Sequence, residues 1–143
     1  MPKTVQHIIE VKGSDVWTID TDASVFEALE MMADKNLGAL VVTHAGDLVG
    51  IMSERDYARK IILMSRDSRE TRVAEIMTPD PMCVSPTDTV TNCMQVMTDN
   101  RFRHLPVLED GQLIGVISIG DVVRAVIEEQ EFLINQLESY ITG

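Results

Sequence analysis

Gly50-Ile51-Met52-Ser53-Glu54-Arg55-Asp56 and Gly115-Val116-Ile117-Ser118-Ile119-Gly120-Asp121 share one pattern: glycine, two apolar residues, serine, two variable residues, aspartate. The same 65-residue shift lays Trp17–Ile62 over Met82–Ile127 without a gap, and 12 of the 46 pairs are identical, including Val25/Val90, Met32/Met97, Leu40/Leu105, Gly46/Gly111 and Arg59/Arg124. Chance pairing at ordinary composition gives about three. Two copies are too few for a solenoid and predict two like units packed about a pseudo-twofold axis.

Each copy reads β-α-β-β-α, an α+β fold. A short strand (Val16–Ile19, Met82–Val84) precedes a helix whose apolar stripe is Val25, Ala28, Leu29, Met32 or Val90, Cys93, Met94, Met97. Ser24 with Glu27 predicts a capping box, and Thr89 a cap. Then come a strand (Ala39–Thr43, His104–Leu108), a turn at Gly46 or Gly111, and a return strand (Leu48–Ser53, Leu113–Ser118). A second helix opens at Glu54 or Ile119. Pro106 cannot donate to a ladder, so its strand is expected to be an edge or to break there. The segments follow as 1–64 (an N-terminal strand or segment plus the first unit), 65–81 (a linker with a short helix) and 82–143 (the second unit). The last helix is expected to run to about Tyr140, and its apolar side needs covering by the domain body or by another chain.

The doubled motif sits where a strand hands over to a helix. Free N–H groups and the helix dipole there suit a phosphate, and an aspartate in the first turn suits vicinal ribose hydroxyls. Helix capping alone also explains Ser and Asp, although two copies at one offset weigh against capping only. Arg55, Arg59, Lys60, Arg66, Arg69 and Arg72 hold half of the chain's 12 basic side chains. Guanidinium forks match phosphate oxygens; a solvated helix face is the plainer account.

Two units each ending in this motif resemble a pair of CBS domains (named for cystathionine β-synthase), together a Bateman module. The likeness to small stand-alone bacterial pairs is carried by Gly38-Ala39-Leu40-Val41-Val42, Ser53-Glu54-Arg55-Asp56-Tyr57, Arg103-His104-Leu105-Pro106-Val107 and Ser118-Ile119-Gly120-Asp121. The resemblance implies two clefts for adenosyl ligands: AMP, ADP, ATP, S-adenosylmethionine or NAD(H). Carried over by position, one cleft would use Ser118 and Asp121 on the sugar phosphate, with Trp17, Thr18 and Ile19 along the adenine. Lys12 and Gly13 would lie upstream of them, and Gly38 and Ala39 beside the base. The other would use Ser53 and Asp56, with Met82, Cys83 and Val84 around the base. Ile51 and Val116 belong to the same set, and Arg103 and His104 would stand near phosphate. Gly120 would let a ligand approach closely where the first copy has Arg55, so the two clefts need not hold one ligand. The resemblance further implies a regulatory homodimer read by an effector protein.

Composition narrows the alternatives. Twelve Lys+Arg against 23 Asp+Glu give a net charge of −11, which disfavours nucleic acid and anionic membranes. Cys83 and Cys93 form no CxxC, and no metal-ligand spacing, P-loop or catalytic triad stands out, so neither a metal nor an enzyme is expected. Met1 to Ser14 carries no apolar signal core, and the expected compartment is the cytoplasm. The competing reading is a ligand-independent assembly module with vestigial clefts.

Overall fold

The computed structural model describes residues 2–13 and 15–142; Met1, Ser14 and Gly143, at the ends of the segments assigned above, lie outside the described residues. The chain opens with helix α1 (Val5–Lys12) and then divides into two compact units. Residues 16–82 make the first. Residues 83–142 make the second, and α1 belongs to it rather than to the first repeat, with which the sequence reading had grouped it.

The first unit contains β1 (Thr18–Asp20), α2 (Val25–Lys35), β2 (Ala39–His44), β3 (Asp47–Ser53), α3 (Glu54–Tyr57), a π-helical turn (Ala58–Ile62), α4 (Val73–Ile76) and β4 (Thr78–Pro79). Its sheet runs β1-β2-β3-β4, with β1 parallel to β2 and the other pairs antiparallel. The second unit adds α5 (Val90–Asn100), β5 (His104–Glu109), β6 (Gln112–Ser118) and α6 (Ile119–Thr142) to α1. The mixed α+β order matches the expectation from the sequence. Ser24 and Glu27 form the expected capping box, and Thr89 accepts from Asn92 N–H at 3.1 Å.

The repeat extends to the backbone. Asn36 and Arg101 end α2 and α5 in the left-handed region (φ 55° and 59°), and Leu37 and Phe102 then donate back to Met32 O and Met97 O. Ala45-Gly46 and Asp110-Gly111 both take positive φ, as a type I′ hairpin turn requires. The register slips at the same place in both hairpins, between Val42/Thr43 and between Val107/Leu108.

A second correspondence, offset by 68 residues, explains where α1 goes. Val73 N–H donates to Ala23 O and Val5 N–H to Asp88 O. Ala74 donates to Thr21 O as Gln6 does to Pro86 O, and Ser24 bridges Arg72 as Thr89 bridges Thr4. Each unit thus takes its leading helix from the chain that precedes the other repeat. The sequence signal is faint: Val5-x-x-Ile8-Ile9 against Val73-x-x-Ile76-Met77, all buried or half-buried. α1 runs two turns, whereas α4 stops after one because Pro79 and Pro81 cannot continue a helix.

Of the two expectations for Pro106, an edge or a break, the structure shows the edge: β5 pairs only with β6 in a two-stranded sheet. β5 runs through it unbroken, paired with Val116. Strand alternation turns its nitrogen away from β6, toward the side where its carbonyl accepts from Val84 N–H at 3.0 Å. With no N–H to offer there, the expected strand Met82–Val84 shrinks to one isolated bridge, Val84 to Val107. Val41, the equivalent of Pro106, keeps its N–H, and β1 forms a three-residue ladder.

Two core clusters fill the units, around Leu40, Val42, Met52 and Ile76 in the first and around Leu105, Val107, Ile117 and Val5 in the second. The leading helices press on the motif glycines. A Cβ on Gly50 would stand 2.5 Å from Met77 Sδ and 3.0 Å from Thr78 O, whereas one on Gly115 would meet only the end of Ile9, at 2.6 Å from Cδ1. Gly50→Ala is therefore expected to destabilise by about 2 kcal/mol and Gly115→Ala by about half that, because a side-chain end yields and a backbone oxygen does not; urea denaturation checks the order.

Candidate functional site

Both motifs fold into the same junction. Ser53 ends β3 and caps α3: Asp56 N–H donates to Ser53 Oγ at 3.2 Å, while Ser53 N–H and Oγ–H donate to Asp56 Oδ2 at 3.0 and 3.1 Å. Thr78 Oγ1 donates to Asp56 Oδ1 at 3.2 Å. Lys60, one turn on, sets its ammonium 3.4 Å from Oδ1 and donates to Ile76 O at 2.9 Å. Asp56 is only 7% exposed, so this carboxylate is met by donors from three segments of its unit.

At the second junction Asp121 N–H donates to Ser118 Oγ at 3.2 Å and Ser118 N–H to Asp121 Oδ2 at 2.9 Å. The cation comes from α1: Lys12 Nζ donates to Asp121 Oδ2 at 2.7 Å and to Val116 O at 2.8 Å. Arg124 stands 3.8 Å from Oδ1. Partial burial works to raise the Asp121 pKa, but the bonds from Lys12 and Ser118 outweigh it and hold the carboxyl below its usual value. His104, paired across the sheet with Ser118, is pushed down by burial and then by the Lys12 charge, with Asp121 opposing. α1 and α6 also flank a groove of about 380 Å³ lined by Lys3, His7, Lys12, Asp121, Arg124 and Glu128 among others.

The expectation of free N–H groups at the two helix starts needs correction. Gly38 O takes the Glu54 N–H at 3.1 Å, and its 65-residue equivalent, Arg103 O, takes the Ile119 N–H at 2.8 Å; the serines take the aspartate N–H groups. The residues just before β2 and β5 fill these positions, and a phosphate has fewer donors to meet.

Of the residues singled out from the sequence, the first unit contains Trp17, Thr18, Ile19, Gly38, Ala39, Ile51, Ser53, Arg55, Asp56 and Met82. The second contains Lys12, Gly13, Cys83, Val84, Arg103, His104, Val116, Ser118, Gly120 and Asp121. Within the units, Gly38 and Ala39 lie beside Ser53, and Arg103 and His104 lie beside Ser118. Lys35 Nζ sits 4.2 Å over the Trp17 ring, taking up one face of it. Gly120 has an ordinary φ, and a Cβ there would meet only Ser118 Oγ, at 3.7 Å, so nothing in the fold requires glycine. The sequence reading missed Thr78 as an aspartate partner and did not single out Lys60 for Asp56, although their i,i+4 spacing carried the signal. Burial pushes the Cys83 thiol up, and burial with the Asp88 charge pushes Cys93 up to about 11. Among the described residues no three His, Cys, Asp or Glu cluster as metal ligands, and no helix is long and apolar enough to cross a membrane.

The CBS domain model matches this chain twice, over residues 8–63 and 73–128, and the chain belongs to the CBS-domain family with two CBS domains in tandem. It is 47% identical over 136 residues to the mitochondrial CBS domain-containing protein CBSX3 of Arabidopsis thaliana, covering 92% of this chain and 66% of that one. It spans about a fifth of several longer Arabidopsis relatives, such as CBSCBSPB1. Among solved structures, a candidate signal-transduction protein with CBS domains from Burkholderia ambifaria MC40-6 is 46% identical with a TM-score of 0.85, covering 90% of this chain and 96% of that one. A hexameric CBS-CP12 protein from bloom-forming cyanobacteria is 31% identical with a TM-score of 0.78, covering 86% of this chain and 71% of that one. CBS-domain pairs are generally regulatory, non-catalytic modules.

Two predictions follow from the junctions. Asp56→Ala takes the acceptor from Ser53 N–H, Ser53 Oγ–H and Thr78 Oγ1–H at a place only 7% exposed and is expected to cost about 3 kcal/mol, against about 1 kcal/mol for Asp121→Ala, where Ser118 N–H and the half-exposed Lys12 lose theirs; chemical denaturation ranks them. Because His104 has a lowered pKa when folded, its contribution to stability is complete above the ordinary histidine value of about 6.5 and is lost as pH falls through the folded value. Thermal melts should therefore drop below pH 6.5, before the carboxylates titrate, and His104→Gln should remove that first drop.

Proposed function

We propose that the protein is a non-catalytic regulatory sensor of an adenosyl ligand (AMP, ADP, ATP or NAD(H)) that works as a homodimer and signals to an effector protein. The observation that carries this reading is Gly120. It lies beside Ser118 and Asp121, a Cβ there would touch only Ser118 Oγ, at 3.7 Å, and its backbone needs no glycine. A sugar phosphate laid along Gly120 meets the Ser118 hydroxyl and the Asp121 carboxylate, with Lys12, Arg103 and Arg124 as nearby cations. Lys12 already holds Asp121, so a ribose at that carboxylate has to share or displace the ammonium. Binding biases the protein only by its unequal affinity for the arrangements with Lys12 engaged and released.

One observation favours the alternative, a ligand-independent assembly module. The Asp56 carboxylate is satisfied by its own unit without a ligand, so the first motif has a complete structural explanation. The second motif is then the stronger candidate for binding.

Native mass spectrometry of freshly purified protein tests the reading by reporting ligand mass and subunit number together. AMP, ATP or NAD(H) at a hundred times Kd should add about 2.7 kcal/mol, a rise in Tm on the order of 5–10 °C. Gly120→Val should leave the melting temperature without ligand near wild type and abolish the ligand-induced rise. A full rise in that variant, or none in the wild type with any of the three, overturns the sensor reading in favour of assembly.

A further inference from the structure

The longest helix, α6, has an exposed apolar face. Beyond Glu129 every residue of α6 up to Ile141 is exposed, including Leu133, Ile134, Leu137, Tyr140 and Ile141. Val122 and Ala125 face the core, and Asp121, Arg124, Ala125 and Glu128 line the groove beside α1. The apolar row lies round the helix from that side: Val123, Ile127, Gln130, Ile134, Leu137 and Ile141, spaced alternately four and three residues apart. That spacing is a heptad seam, with isoleucine at every a position and Val123, Gln130 and Leu137 at d.

We propose that α6 is a self-association helix, and that two copies of this chain pair their α6 helices in parallel and in register along this seam. The occupant follows from the pattern. Isoleucine at a with leucine at d suits a two-stranded parallel coil, and a single polar Gln130 at d finds its hydrogen-bonding partner in the same residue of the other copy. Charge selects the direction. Glu131 and Glu138 hold e positions, while the g positions are Val126, Leu133 and Tyr140. An antiparallel pair would set Glu131 against Glu138; a parallel pair sets each glutamate against an apolar g residue. The side chains exposed at a, d and g, from Val123 at 38% to Tyr140 at 87%, run along three heptads and would supply much of the roughly 800 Å² each partner brings to a standard stable interface. From Glu128 to Thr142 the helix carries Glu128, Glu129, Glu131 and Glu138 and no Lys or Arg, so an anionic membrane surface is a poor occupant. A segment this short and this exposed is also marginal as a helix in water until something covers it.

The proposal rests on the homodimer reading above and adds its surface and direction. In the full-length chain, light scattering after gel filtration should give a dimer that Ile134→Glu reduces to half its mass. Phe132→Glu should leave the dimer intact, because Phe132 is exposed at f, opposite the seam. Circular dichroism of both variants checks that the fold persists. In a Cys83→Ser background, Gln130→Cys and Leu137→Cys should each form covalent dimers on oxidation when tested alone. Crosslinking only when the two cysteine variants are mixed means antiparallel packing and overturns the proposal. So does a dimer untouched by Ile134→Glu, which leaves the homodimer reading standing. A monomeric wild type overturns both. None of these outcomes depends on nucleotide.

Discussion

A carboxylate withdrawn from water at the head of a helix has to be met by donors where it stands. In both units that requirement organises the turn from strand to helix. Serine and aspartate cap each other across the first helical turn, the residue just before the neighbouring strand (Gly38 or Arg103) gives its carbonyl to the next N–H, and an ammonium sits against the acid. Loss of the aspartate leaves the serine N–H without its acceptor in both units, while each lysine keeps a backbone carbonyl and reaches water. The capping account and the ligand account of Ser-x-x-Asp are then two uses of one arrangement. The cap places the carboxylate rigidly, and what can displace its ammonium decides whether it also binds.

The two junctions differ in that respect. Lys60 belongs to the same helical run as Asp56 and is tied to Ile76 O, and Thr78 adds a third segment. The aspartate is closed in by its own unit. Asp121 depends on Lys12, from a helix more than a hundred positions earlier in the chain. The cause is two prolines: Pro79 and Pro81 end α4 after one turn and turn the chain into β4, whereas α1, free of proline, runs on far enough to deliver Lys12. A change in the tether of α1 therefore reaches Asp121 directly, with no counterpart at Asp56. His104, set beside Ser118 and sensitive to the Lys12 charge, belongs to the same local electrostatic set.

Much of this was legible in the sequence. The 65-residue repeat fixed element order, caps and hairpin turns, because those depend on residues within a few positions of each other. Asn36 with Arg101, and Ala45 with Asp110, show that even the left-handed positions follow the shift, although their side chains do not match. What the repeat could not reveal was the exchange of leading helices. It involves partners distant in sequence, at a different offset, and only Val-x-x-Ile is shared. The lost strand at Met82–Val84 was within reach, since an edge at Pro106 and a paired strand beside it are incompatible expectations, and the edge is what the structure shows. For the site, the sequence located Ser118, Asp121 and Lys12, which the structure joins by hydrogen bonds. It overestimated the free N–H groups, because which carbonyls close on a helix start is a matter of tertiary register.

The repeats part company where their shared constraints end. After Ile62 the first copy stops its helix: Ser65 turns left-handed, Arg66 N–H donates back to Ile61 O at 2.9 Å, and the chain enters the linker. After Ile127 the second copy continues through Glu128, Glu129, Gln130 and Glu131, all good helix formers. Propensity alone makes the helix permissible; it does not account for isoleucines spaced by seven on its wet side. A solvated extension would be satisfied by polar residues all round. Apolar residues at the a, d and g positions, with acids beside them, are what the proposed pairing of two copies would use. On that proposal the added segment gives the duplicated module what the repeats alone do not encode, a direction in which copies can be joined.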